Sequence, residues 1–199
     1  MPQARKTDGM PRIAVILAGG GGRRIGGADK GELMLARRRL VDHVAARLSP
    51  QAERLLISGM HDYETGLTAI RDREDGPRGP AAGLWSALHW IEKHAPATEG
   101  FSTAPVDGPF VPLDLIERLA AGGECAIVSE SGNAHPTFAY WRLDVLRAAL
   151  ESAPAGEGLA LKELADKTRA QRIVFNEADA FLNINTWEDI ERAEELLRG

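Results

Sequence analysis

Residues 13–18 read Ile-Ala-Val-Ile-Leu-Ala and pass without a polar interval into Gly19-Gly20-Gly21-Gly22. A near-continuous apolar run of this length suits a central parallel strand covered on both faces. Cover on both faces requires a layered α/β fold. The exit from the strand is equally distinctive. Gly19 to Gly22, Gly26, Gly27 and Gly31 fall within thirteen residues, a third of the 21 glycines in the 199-residue chain. They follow no three-residue period, which excludes a collagen-like chain. Ordering so many glycines costs chain entropy, so the cluster demands a local use.

The rest of the chain alternates between strand and helix patterns. LVDHVAARL carries Leu40, Val44 and Leu48 as a helical stripe. ERLLIS (53–58) and GLTAIRD (66–72) predict two short strands, and Leu84, Leu88 and Ile91 mark a helix between Gly79-Pro80 and Pro96. FSTAPVD (101–107) predicts the next strand and Gly108-Pro109 a turn. Pro112, a residue suited to a first helical turn, opens a helix of about ten residues. CAIVS (125–129) and HPTFAYW (135–141) predict antiparallel or mixed strands around the polar loop SGNAH. LDVLRAAL and LALKELADK are short helical patterns separated by SAPAGEG, and RIVF reads as a strand. Thr186, followed at +3 by Asp189, starts the last helix with a variant of the capping box. Its apolar face is Ile190, Ala193 and Leu197. Together these elements predict an α/β protein, a three-layer α/β/α sandwich with a Rossmann-like, mostly parallel central sheet. Residues 13–199 read as one domain and residues 1–12 as a flexible N-terminal extension.

Composition removes several function classes. The longest uninterrupted apolar stretch is Ile13–Ala18, against the ~20 residues that span a bilayer. The first twelve residues are charged and lack the apolar core of a secretory signal. Cys125, the only cysteine, has no internal disulfide partner and reads as a small buried hydrophobe in CAIVS. The chain therefore reads as cytoplasmic, with no membrane partner. Its net charge of −5 is uneven: residues 1–50 hold ten Lys and Arg against four Asp and Glu, and the remainder holds 14 against 25. Nucleic-acid binders carry a broad basic face. A basic segment beside glycines points instead to a small polyanion such as a nucleotide phosphate.

Two nucleotide-binding patterns fail on the glycine run. The dinucleotide fingerprint needs glycines at its positions 1, 3 and 6, and the register from Gly20 and Gly22 would demand glycine at Ile25. The P-loop needs Gly-Lys followed by Ser or Thr, whereas Lys30 lies between Asp29 and Gly31. What remains is a strand followed by LAGGGGRRIGGADK, with Arg23, Arg24 and Lys30 adding positive charge. Small residues at the carboxyl end of a strand let backbone amides approach a phosphate or base.

On these residues the chain resembles the molybdenum cofactor guanylyltransferases, part of the wider group of nucleoside-triphosphate:acceptor nucleotidyltransferases. The family's L-A-G-G, Arg, Gly pair and Asp-Lys are matched from Leu17 to Lys30. Its Asp and following G-P-L-A-G appear as Asp72 and Gly79-Pro80-Ala81-Ala82-Gly83. Its C-D-x-P-F appears as Val106-Asp107-Gly108-Pro109-Phe110, and its H-P as His135-Pro136. The closing F-x-N-I-N-T-x-E-D element is intact from Phe181 to Asp189. Three departures stand out. Ser58-Gly59-Met60-His61 replaces a segment that often has Asn, Ala36-Arg37-Arg38-Arg39 replaces the usual Gly before the next helix, and Ala81 replaces Leu. The Arg37–Arg39 triplet either lines the acceptor phosphate route or forms a solvated face.

The resemblance implies transfer of GMP from GTP to molybdenum-bearing molybdopterin, with pyrophosphate released and Mg²⁺ as cofactor. It implies catalytic roles for Lys30, Arg24 and Asp107, with Asp107 as the metal ligand. Nucleotide or acceptor binding is implied for Leu17, Ala18, Gly19, Gly20, Lys30, Asp72, Asp107, Asn183 and Asn185. From the local sequence alone, Asp107 reads first as the residue that opens the turn before Pro109 and Asp72 as a solvated residue of RDRED. His135 suits a satisfied histidine as well as one touching the pterin. The alternatives are a related enzyme using CTP or another phosphorylated acceptor, or a non-catalytic nucleotide-binding protein for cofactor delivery. Expected partners are GTP, the molybdopterin and transient cofactor-biosynthesis or delivery proteins, for a monomer or weak oligomer.

Overall fold

Alternation along β1 (Ile13–Leu17) sets the layering. Ile13 and Val15 are buried in a cluster with Leu84, Leu88, Leu146 and Leu164. Ala14 and Ile16 are buried in another with Val41, Val44, Leu115 and Leu119. Successive strand side chains point to opposite faces, so this strand is covered on both sides. Complete burial of a Val or Ile side chain stabilises by about 1.5–3 kcal/mol.

The computed structural model describes residues 12–19, 29–153 and 157–198. After β1 comes a 3₁₀ turn (Lys30–Glu32), then β2 (Met34–Leu35), β3 (Arg38–Arg39), α1 (Leu40–Leu48), β4 (Arg54–Ser58) and β5 (Thr68–Ile70). The chain continues through α2 (Pro80–His94), β6 (Gly100–Pro105), α3 (Leu115–Ala120), β7 (Cys125–Glu130) and β8 (Asn133–Arg142). It ends with α4 (Leu143–Glu151), α5 (Leu161–Lys167), β9 (Gln171–Phe175) and α6 (Trp187–Arg198).

The main sheet has seven strands in the order β5-β4-β1-β6-β8-β7-β9. All its neighbouring pairs are parallel except those made by β8, which is antiparallel to both β6 and β7. Most buried apolar residues of α2, α4 and α5 share one cluster, and Val41, Val44 and Leu48 of α1 join those of α3 in the other. The predicted α/β/α sandwich with a mostly parallel sheet is the observed architecture. A smaller apolar cluster of Leu33, Leu35, Leu40, Ile184, Ile190 and Ala193 joins α6 to the β2–β3 hairpin.

Several boundaries differ from the sequence reading, among them the end of β6 at Pro105 instead of Asp107. The helix expected from Pro112 starts at Leu115, because Gln51 intervenes. Its Nε2 donates to the Pro112 carbonyl at 2.8 Å and its Oε1 accepts from the Ile116 amide at 3.0 Å. The loop SGNAH reduces to Ser131-Gly132, whose φ values of 48° and 81° suit a two-residue hairpin turn. Asn133 to His135 extend β8. The second short strand spans only Thr68–Ile70, which leaves Asp72 beyond its end.

Candidate active site

Three strands end level. The register sets Leu17 beside Ser58 on one side and Pro105 on the other. The ladder continues one step further, with the Ala18 amide donating to Ser58 O at 2.8 Å and the Val106 amide to Leu17 O at 3.1 Å. Ala18-Gly19, Gly59 and Val106-Asp107 therefore leave the sheet at one carboxyl edge. The chain places β4 and β6 on opposite sides of β1, and ligands of open α/β sheets bind at such switch points.

A cleft of ≈ 360 Å³ opens there, lined by Leu17, Gly19, Ser58, Asp72, Gly79, Pro80 and Gly83. The absence of a side chain at Gly83 matters, since a Cβ there would collide with the buried Ser58 Oγ. Asp72 is held beside the cleft through its neighbour. The Arg73 amide donates to Ser86 Oγ at 2.9 Å, and Ser86 Oγ donates to Ala82 O at 3.0 Å. The Asp72 side chain stays in contact with water, yet the cleft walls crowd its carboxylate and raise its pKa above the ordinary value. Gly59 has a φ of 153°, and a Cβ there would lie 3.3 Å from the Ala18 carbonyl carbon. At this position a side chain is replaced by close backbone packing.

Beside the cleft, Lys30 is clasped by two oxygens. Its Nζ lies 2.5 Å from Asp107 Oδ2 and 2.6 Å from Asn185 Oδ1. Asp107 follows β6, and its carbonyl accepts from the Ile184 amide at 2.8 Å. That bond lays the Phe181–Ile184 stretch, with Phe181 and Ile184 buried, against the sheet edge. Asn185 is fixed by the helix cap that follows. Asp189 Oδ2 accepts from the Asn185 and Thr186 amides at 2.8 and 2.9 Å, and the Asp189 amide donates to Thr186 Oγ1 at 3.2 Å. The expected capping box is present and also positions the site.

The site residues expected from sequence fall into two neighbouring groups. Leu17, Gly19 and Asp72 line the cleft, and Ala18 continues the strand edge beside them. Lys30, Asp107 and Asn185 form the charged centre. Asn183 does not bond Lys30; its Oδ1 is buried and has no hydrogen-bond partner among the described residues. Gly20 and Arg24 lie outside the described residues, as do residues 1–11 of the expected N-terminal extension. His135 packs against the Phe181 ring, with centroids 5.8 Å apart, and its Nε2 lies 3.7 Å from Glu130 Oε2.

The arginine triplet does not act as a unit. Ala36 and Arg37 form the β2–β3 turn with φ values of 47° and 66°, where the family's usual glycine would be at ease. Arg37 and Arg38 are exposed. Arg39 turns inward, with Nε 2.8 Å from Asp42 Oδ2, Nη1 3.3 Å from Glu32 Oε1, and Nη1 2.8 Å from the Tyr63 carbonyl.

Sequence reasoning missed Ser58 and Tyr63. Ser58 ends a strand, where any small residue reads as a boundary. Tyr63 sits in the aperiodic segment MHDYETG, and its hydroxyl donates to Asp29 Oδ1 at 2.8 Å. Burial, aided by the Asp29 carboxylate, raises its pKa well above the ordinary phenol value.

A family model for the MobA-like NTP transferase domain matches residues 14–172, which takes in the cleft, Lys30 and Asp107. The chain belongs to the MobA-like NTP transferase family. It is 42% identical over 195 residues to a molybdenum cofactor guanylyltransferase of Cereibacter sphaeroides, covering 95% of this chain and 98% of that one. A molybdenum cofactor guanylyltransferase of Mesorhizobium japonicum is 33% identical over 199 residues, covering 93% and 95%. Among solved structures, the molybdopterin-guanine dinucleotide biosynthesis protein A of Archaeoglobus fulgidus superposes with a TM-score of 0.69 at 26% identity. That superposition covers 94% of this chain and 98% of the other. The chain is thus a nucleotidyltransferase by family, and its motif from Leu17 to Lys30 ends at the charged centre. Among the described residues, no helix is long and apolar enough to cross a membrane.

Proposed function

We propose that this enzyme transfers GMP from GTP to molybdenum-bearing molybdopterin, forming the guanine dinucleotide cofactor in the cytoplasm. The observation that carries the reading is Lys30 Nζ set between Asp107 Oδ2 and Asn185 Oδ1 beside the ≈ 360 Å³ cleft. A phosphate oxygen of the pterin attacks the α-phosphorus of GTP, the new P–O bond forms, and the α–β bridging bond breaks to release pyrophosphate. Catalysis of this kind rests on positioning and on stabilising negative charge.

The cleft at Gly19, Ser58, Asp72 and Gly83 receives the nucleoside. Lys30 supports the charge that develops on the phosphate chain, together with Arg24 from the glycine-rich segment. The Gly19-Gly20 backbone contributes donors that no side chain obstructs. The segment carrying Asn183 and Asn185 forms the wall on the acceptor side.

The residues fit a Mg²⁺ ion. The Asp107 carboxylate and the Asn185 amide oxygen are hard donors that already converge on one cationic group, the Lys30 ammonium. No cluster of three or more His, Cys, Asp or Glu side chains is found among the described residues. A single carboxylate completed by substrate phosphates is the usual Mg²⁺ arrangement. When bound, the ion supplies Lewis-acid stabilisation of phosphate charge and in-line orientation. Asp107 would hold it, with Asn185 beside it.

Incubation with each of the four NTPs, Mg²⁺ and molybdopterin, followed by mass analysis, tests the reading. GMP adduct formed in preference to the others is the expected product. Preferential CMP transfer overturns the guanylyl assignment, and pyrophosphate release that does not depend on molybdopterin overturns the acceptor.

A further inference from the structure

We propose that Tyr63 is a positioning residue for Lys30, coupling the loop after β4 to the phosphate-binding lysine. The inference rests on the reading that Lys30 contacts the GTP phosphates.

The structural link is short and fully hydrogen bonded. Tyr63 Oη donates to Asp29 Oδ1 at 2.8 Å, and the same oxygen accepts the Gly31 amide at 2.8 Å. Asp29 is thereby fixed as the cap of the 3₁₀ turn that carries Lys30. The ring completes the clamp. A Cβ on Gly31 would lie 2.6 Å from Tyr63 Cζ and 2.9 Å from its Oη, so the ring rests directly on the Gly31 backbone. Lys30 is held between these two contacts, with its Nζ on Asp107 and Asn185.

Tyr63 is itself held in place. It is 4% exposed although it lies in a loop, and its φ of 52° is one a bulky side chain seldom adopts. Its carbonyl accepts from Arg39 Nη1, whose guanidinium is also bound by Asp42 and Glu32. A tyrosine fixed in this way limits where the Lys30 backbone can sit. The long lysine side chain would otherwise sample many rotamers before reaching phosphate.

The test is a double-mutant cycle read by titration of Mg²⁺ with a fluorescent GTP analogue carrying a methylanthraniloyl group. Tyr63→Phe keeps the ring and removes only the hydroxyl. It is compared with the wild type, with Lys30→Gln and with the double variant. In the wild-type background, Tyr63→Phe weakens nucleotide affinity by about three- to tenfold, less than the full worth of a hydrogen bond to a charged group because the hydroxyl reaches the nucleotide only through Lys30. In the Lys30→Gln background the same change has little further effect, because non-additivity marks two residues acting through one contact. Equal losses in both backgrounds would mean that Tyr63 is merely structural and would overturn the proposal, as would an unchanged affinity of Tyr63→Phe. A wild-type protein that binds no GTP analogue would overturn the guanylyl reading and this proposal with it. Binding by the wild type together with an inert Tyr63→Phe overturns this proposal alone.

Discussion

Lys30 and Asp107 are 77 positions apart in the chain, yet Lys30 Nζ lies 2.5 Å from Asp107 Oδ2. Their side chains are 21% and 15% exposed, so the pair is partly hydrated. As an isolated ion pair it would contribute about 1 kcal/mol or less to stability. Its importance is positional. It sets a cation and a carboxylate at the common edge of β1 and β6, where incoming phosphate oxygens would compete with Asp107 for the ammonium.

Lys30→Ala should lower turnover by about tenfold or more while leaving the fold intact. Steady-state kinetics of pyrophosphate release, alongside circular dichroism, checks this. Unchanged kinetics would remove Lys30 from the site.

Asp107→Asn keeps an oxygen for Lys30 but removes the negative charge offered to a divalent ion. Activity should fall by about a hundredfold, with the required Mg²⁺ concentration shifted upward. A Mg²⁺ titration at saturating GTP reads both. A variant with wild-type Mg²⁺ dependence would exclude Asp107 as the metal ligand.

Asp72 makes a pH-dependent prediction. Its folded-state pKa is raised by the crowding of the cleft. A carboxyl whose pKa rises on folding favours the folded state while protonated, and that advantage is lost as pH climbs through the folded-state value. Asp72→Asn should therefore stabilise the protein slightly at about pH 7, and the gain should vanish as pH falls below about 4. The effect stays small because water still reaches the side chain. GTP affinity should meanwhile drop by about tenfold if Asp72 hydrogen bonds the nucleoside. Thermal melts across pH and a GTP titration separate the two effects.

Asp189→Ala removes the acceptor of the Asn185 and Thr186 amides. Loss of such a cap should cost about 1 kcal/mol of stability. Because the cap also holds Asn185 against Lys30, kcat should fall more than GTP affinity. Denaturant unfolding and a kcat against KM comparison check the two parts. A stability loss without any kinetic effect would make the cap purely structural.

The sequence by itself determined the layering and the motif that leads into the site. Continuous burial along Ile13–Ile16 requires helices on both faces, and the stripe of Leu40, Val44 and Leu48 at fourfold spacing lies in a helix with the expected ends. The family pattern around Lys30, Asp107 and Asn185 was legible because each residue sits in a short, distinctive local context. Thr186 and Asp189 were legible as a cap because capping is a local interaction. The relations between distant segments were not legible. Sequence spacing carries no information on which strands end level, so only the pairing of β1 with β4 and β6 brought Leu17, Ser58 and Pro105 abreast. Gln51 displaced the start of α3 through contacts more than 60 positions away. Tyr63 lay in an aperiodic polar segment, and the Arg39 that anchors its carbonyl could be read equally as solvated. Hydrogen bonds between segments far apart in sequence leave no periodic trace, and here only the tertiary structure could assign them.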